Sequence, residues 1–194
     1  NLPGDTSRGF ATGASIPDED NLRRAAEILN RAERPAILAG RGALHATDEL
    51  EQVAERLQAP VVKALLGKAA VPDDSPYTTG QVGLLGTKPS QETMEKCDVL
   101  LMVGTAMPYA EFLPQPGQAS VVQIELDPAR VGLRYPADVA LVGDGALLRE
   151  VTAAGLLVVQ AQCEVAAVGQ VVRRQLDGDA VTGQDSNVII AHLS

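Results

Sequence analysis

"ILAGRGALHATDELEQVAERL" (residues 37–57) runs from three apolar residues through two glycines into a segment with a helical period. Leu50, Val53, Ala54 and Leu57 recur three and four residues apart, which lines one face of a helix over about 46–58, with Thr47 as its expected cap. The apolar run belongs to "PAILAG" (35–40), short and bounded by proline and glycine, as in a strand covered on both faces. The junction has two open readings at this point. Gly40 and Gly42 either let a phosphate approach the backbone ahead of a helix, or form a tight bend between packed elements.

Outward from this stretch the same alternation repeats. "PDEDNLRRAAEILNRAE" (17–33) offers Asp18 as a cap, acids in its first turn and Leu22, Ala25, Ala26 and Leu29 on one face, so it is expected to be an amphipathic helix ending near Pro35. "PVVKALL" (60–66), "VLLMV" (99–103), "SVVQIELDP" (120–128) and "ADVALVGD" (137–144) read as further strands. Helices are expected from Pro89 to Lys96 and over "GALLREVTAA" (145–154). Strands alternating with helices build a parallel sheet through right-handed crossovers. The expected fold is therefore α/β, a three-layer, doubly wound, Rossmann-like parallel sheet. The excursion "GKAAVPDDSPYTTGQVGLLGTKPS" (67–90) shows no clear period and reads equally as a functional loop or a surface connection.

The Gly-, Ser- and Thr-rich start makes residues 1–17 a linker, with the folded domain over 18–154. The opening "LPGD" resembles the exit of a strand, so a fragment of a longer polypeptide is expected. Residues 155–194 form an atypical tail, with Val165, Val168, Val172 and Leu176 on one side of a helical pattern and a terminal "NVII" that could be a strand.

Composition narrows the function classes. At 45% hydrophobic and 21% charged the chain is that of an ordinary globular protein, and with 3% aromatics its core must be built from Val, Leu, Ile and Ala. A net charge of −9 argues against nucleic acid, whose binding needs clustered cations. Cys97 and Cys163 are too few and too far apart for a disulfide framework or a metal site, and are expected to be buried thiols in a reducing, cytoplasmic setting. No stretch reaches the roughly 18 apolar residues of a membrane span.

The residues suited to binding chemistry gather at strand ends. Gly40 and Gly42 follow one strand, Gly104 another, and Gly143 with Asp144 a third, and in doubly wound sheets the ligand crevice lies at the carboxyl ends of the strands. Glu125 and Asp127 end a strand where an acid can accept hydrogen bonds from ribose or adenine. Arg41 and Lys88 are candidate phosphate partners, while His45 and His192 have no nucleophile suggested beside them. "GDG" (143–145) opens like a diphosphate–magnesium motif, but no paired asparagines follow, so it reads as a strand end.

Taken together, "LPGD", "RPAILAGRGA", "APVVKALLGKAAVPDDSPYTTGQVGLLG", "CDVLLMVGTAMPYAEFLP", "VVQIELDPARVG" and "DVALVGD", in that order over residues 1 to about 153, resemble the central domain of thiamine-diphosphate-dependent enzymes. The likeness reads as greatest to the pyruvate-oxidising branch, pyruvate oxidase and quinone-dependent pyruvate dehydrogenase, with acetolactate synthase more distant. The resemblance implies about six parallel strands with FAD extended across their ends. Carried over by position, Gly40, Arg41 and Gly42 would approach the pyrophosphate and Ala64 and Leu65 would line the cofactor. Gly83, Leu84 and Leu85 would pack near the flavin, Gly104 and Thr105 would touch FAD, Glu125 and Leu126 would meet its adenosine part, and Asp144 would cap its contacts.

In such enzymes thiamine diphosphate and Mg²⁺ are held by the first and third domains. The resemblance thus implies flanking domains of the same polypeptide as partners, a dimeric or tetrameric parent, and any membrane contact supplied by parts of the parent. This chain is expected to place a cofactor and not to decarboxylate pyruvate alone. Two departures stand out. Glu125 replaces an aspartate frequent in related oxidoreductases, and the tail after Ala154 does not resemble the family's connection, for which a read-through or frame change would account. An ADP-binding or structural spacer of a non-redox decarboxylase or carboligase, and a stand-alone nucleotide-binding module, are the alternatives.

Overall fold

The computed structural model describes residues 17–156. The expectations for the linker over 1–16 and the tail from 157 onward lie outside the described residues. In chain order the elements are α1 (Glu19–Asn30), β1 (Pro35–Ala39), α2 (Thr47–Leu57), β2 (Val61–Lys63), β3 (Thr78–Gln81), α3 (Lys88–Lys96), β4 (Val99–Val103), β5 (Ser120–Glu125), β6 (Val139–Val142) and α4 (Leu147–Ala153). The strands form one sheet in the order β3-β2-β1-β4-β5-β6, and every neighbouring pair is parallel. This is the doubly wound order in which the direction of winding reverses between β1 and β4.

The apolar pattern explains the layers. β1 and β4 are buried at every position, so alternate residues feed two separate cores. Ile37, Ala39, Leu101 and Val103 point to the face covered by Leu22, Ala25 and Leu29 of α1, Leu50 and Val53 of α2, and Leu148 and Val151 of α4. Leu38, Leu100 and Met102 point to the other, where Met94 of α3 and Leu113 and Tyr135 from connecting segments cover them. Leu101 is fully buried at the sheet's centre. Leu101→Ala is expected to cost about 2 to 5 kcal/mol, read as a lower urea midpoint at unchanged slope.

Three local expectations change. The hydroxyl of Thr47 does not cap α2; it donates to the carbonyl of Ala70 at 2.8 Å and ties the helix to the 67–90 excursion. Asp18 serves the start of α1 through its carbonyl, which accepts from Asn21 and Leu22, and not through its carboxylate. The excursion contains β3, a short edge strand interrupted by Gly80, with a register irregularity opposite Val61 and Val62. A four-residue strand with glycine inside carries neither an apolar run nor a clean alternation.

Candidate functional site

At the reversal between β1 and β4, the chain leaving β1 passes through Gly40 into a 3₁₀ turn at Arg41–Ala43, and α2 starts only at Thr47. The chain leaving β4 turns back at Gly104, whose φ of 58° is left-handed and favours glycine. The two turns are in backbone contact. Gly40 donates to the carbonyl of Val103 at 2.9 Å and Gly42 to that of Gly104 at 3.0 Å. A Cβ on Gly42 would stand 2.7 Å from the Cα of Gly104, and one on Gly104 would overlap the Cα of Gly42. Gly145, entering α4, is equally confined, since a Cβ there would stand 2.7 Å from the Cβ of Ala46. A Cβ on Gly67, beyond β2, would overlap the carbonyl of Ala39.

The turns after β1, β2, β4 and β6 therefore meet in a glycine-packed hub. This answers the question posed by residues 37–57: they form a strand, a turn and a helix, and the glycines let one backbone approach another. Their amides are committed, so Gly40 and Gly42 would offer a pyrophosphate close approach and not donors.

Open polar groups surround the hub. Thr105, beside Gly40, is 6% exposed, and its hydroxyl makes no hydrogen bond among the described residues. Arg41 is exposed and enters no ion pair among them. Glu125, at the end of β5, is buried; one carboxylate oxygen accepts the Leu126 amide at 3.1 Å, and the other takes no partner among the described residues. The backbone carbonyl of Glu125 receives Gly143 from the turn after β6. A hydroxyl, a guanidinium and a carboxylate thus border the rim, donors for phosphate and an acceptor for ribose hydroxyls, the groups an extended nucleotide needs.

An apolar set accompanies them. Among the described residues the large exposed apolar side chains are Leu65, Leu66, Leu84, Leu85, Tyr109, Leu126 and Leu133. Each sits in a connection leaving the carboxyl end of β2, β3, β4 or β5. Leu84 and Leu85 are the most open, at 81% and 86%. Scattered exposed leucines are ordinary, whereas a set confined to one edge marks a contact surface. Ala64 is buried, its amide donating to the carbonyl of Ala39, and a Cβ added to Gly83 would stand 4.0 Å from the Cε of Met107 at the β4 exit. The turns after β3 and β4 therefore approach each other above β2 and β1.

The remaining candidates take other roles. Asp144 is exposed and accepts the Ala146 amide at 2.9 Å, which sets the turn into α4. Asp127 accepts the Ala129 amide and faces Arg130 at 3.5 Å, and Lys88 faces Glu92 at 3.7 Å on the surface of α3. His45 is exposed in the turn before α2. Cys97 is buried, its thiol pushed up to about 12 chiefly by burial, which leaves it inert at neutral pH. No group of three or more His, Cys, Asp or Glu residues forms a metal cluster among the described residues. Leu66, Tyr109 and Gln123 were not singled out in the sequence; for Gln123 the signal was a lone amide inside the apolar "VVQI".

Residues 22–151 match the thiamine pyrophosphate enzyme, central domain family. The chain belongs to this family. The thiamine pyrophosphate enzyme central domain is the same unit that the sheet order and the matched motifs describe. Among its relatives, YdaP of Bacillus subtilis, named as a thiamine pyrophosphate-containing protein, is 43% identical over 76% of this chain and 25% of that protein. A protein of Methanocaldococcus jannaschii named as an acetolactate synthase large subunit is 36% identical over 69% of this chain and 24% of its own length. The pyruvate oxidase of Lactiplantibacillus plantarum is 35% identical over 66% and 21%. The chain spans between a fifth and a quarter of the length of these three relatives. A synthase and an oxidase stand at nearly equal identity, so the likeness is to the central domain at large and not specific to the pyruvate-oxidising branch.

Proposed function

We propose that this central domain holds FAD along its carboxyl edge, as the cofactor-placing part of a thiamine-diphosphate-dependent, pyruvate-oxidising parent. One observation carries the reading. At the point where the winding reverses, the Thr105 hydroxyl, the Arg41 guanidinium and one oxygen of Glu125 stand open beside a backbone-packed hub, between exposed leucines on both sides. Thr105 and Arg41 suit a pyrophosphate and Glu125 suits ribose hydroxyls, while Leu65, Leu84 and Leu85 offer apolar area to a flavin ring. When bound, FAD supplies an electron acceptor. The residues of this chain bind and orient it; bond-breaking belongs to the parent's other parts.

A second reading keeps the adenosine half and drops the flavin. The synthase among the relatives favours it, because the same domain then serves as an ADP-binding or structural spacer of a non-redox parent. Titration of the 194-residue chain separates the two. Retention of about one FAD per chain with a band at about 450 nm, displaced by ADP only at excess, is the result expected for the flavin reading. Equal affinity for ADP and FAD with no change in the flavin spectrum supports the spacer, and no binding of either overturns both.

A further inference from the structure

Gln123 is a carboxamide in the interior of β5, 2% exposed, between Val121 and Glu125 on the same face of the sheet. Its Oε1 accepts the amide of Gly132 at 2.9 Å and its Nε2 donates to the carbonyl of Arg130 at 3.3 Å. Both partners are backbone groups of the connection that follows Glu125. Beyond Leu133 the connection is anchored by Tyr135, buried and donating to the carbonyl of Gln115 at 2.8 Å, whereas over residues 126–133 Asp127 organises the first turn and Val131 and Leu133 make only local backbone bonds. Within residues 126–133, Gln123 is therefore the buried side chain that fixes the far end of a loop whose near end, the Leu126 amide, holds the Glu125 carboxylate.

We infer that Gln123 is a positioning residue for the adenosine end of the nucleotide, acting through the 126–133 loop on Glu125. The inference rests on the nucleotide-binding reading and goes beyond it, since Gln123 touches no ligand position itself. Losing both hydrogen bonds frees the loop, withdraws the Leu126 amide and lets the Glu125 carboxylate turn away from the ribose. A buried amide could have been replaced by an apolar residue at little cost had packing been its only role, because β5 is otherwise apolar at Val121, Val122 and Ile124.

Gln123→Met, which keeps the length and removes both hydrogen bonds, tests this together with Gln123→Leu, which removes both with a different apolar shape; Gly132 itself is left in place because its φ of 67° is one that proline cannot adopt. Two readouts are needed: trypsin cleavage after Arg130 and Arg134 in the free protein, and dissociation constants for ADP and 2′-deoxy-ADP. Both variants are expected to be cleaved at these sites about tenfold faster, to bind ADP about tenfold more weakly, and to lose most of the preference for ADP over its deoxy analogue, the loss also expected of Glu125→Gln. General destabilisation would weaken both nucleotides alike and leave that preference intact. Unchanged cleavage, or faster cleavage with the ribose preference preserved, overturns the inference. If the unmodified chain binds no adenine nucleotide, the functional reading fails, and with it the inference, even where cleavage shows that Gln123 pins the loop.

Discussion

Gly104→Ala is expected to lower the stability of the domain by about 2 to 5 kcal/mol and to abolish nucleotide binding. The added Cβ would overlap the Cα of Gly42 and press on its amide, in a backbone with a left-handed φ. Neither neighbour can yield, since Gly42 is held to the carbonyl of Gly104 and Gly40 to that of Val103. Gly117→Ala is the control: its φ of 81° is also left-handed, but a Cβ there meets nothing within 4 Å, so only the backbone strain of about 1 kcal/mol applies. Urea unfolding of both variants checks the difference. Equal costs would mean that the turns after β1 and β4 are not packed as described.

The second large effect concerns a charge inside the sheet. Lys63 ends β2 with 1% of its side chain exposed, and its ammonium reaches Asp73 at 2.5 Å and the carbonyl of Val71 at 3.3 Å. Removing the carboxylate leaves an ammonium in an apolar interior with one carbonyl. Asp73→Ala is expected to cost about 2 to 3 kcal/mol, the low side of what stranding a buried charge costs, because the exposed loop admits water. Lys63→Met should cost less, since it removes the charge, fills the space and leaves Asp73 in solvent.

The hydrogen bond from Lys63, and then its charge, hold the Asp73 carboxyl below its ordinary value of 3.8. A depressed folded-state value contributes stability above the unfolded value and loses it as pH falls through the folded one. The gap between the natural chain and Asp73→Asn should therefore be full near neutrality and shrink below about pH 4. A gap that widens in acid would contradict the assignment. Thermal unfolding across pH 3 to 7, about the range over which a carboxyl titrates, supplies the measurement.

The sequence carried the layers because their cause is periodic. Leu22, Ala25 and Leu29, and Leu50, Val53 and Leu57, repeat at helical spacing and are buried. The unbroken "PAILA" and "VLLMV", too short for helices and bounded by turn residues, read as strands covered on both faces and are buried at every position. β3 stayed hidden because its hold on the sheet comes from its neighbours: Thr78 donates to the carbonyl of Val61, and Thr87 to that of Thr79. The excursion that carries it is tied to α2 by Thr47 with Ala70 and by Ser75 with Glu51, pairings 23 and 24 residues apart that no local pattern displays.

The glycines were found for a reason the structure revises. A Gly-x-Gly before a helix tells that something approaches the backbone closely, not whether it is a phosphate or another turn. Here Gly42 and Gly104 approach each other, and the open groups lie beside them at Arg41, Thr105 and Glu125. Likeness and position point to those three; that the Arg41 guanidinium, the Thr105 hydroxyl and one oxygen of Glu125 are open among the described residues is a property of the fold alone.

Mapping backbone amide shifts of the isotope-labelled chain during titration with FAD tests the central claim most directly. Shifts confined to Arg41, Thr105, Leu84, Leu126 and their neighbours along the carboxyl edge are predicted, with Asp98 and Asp138, at the opposite strand ends, unmoved. Shifts centred on Asp98 and Asp138, or none at saturating FAD, would contradict it.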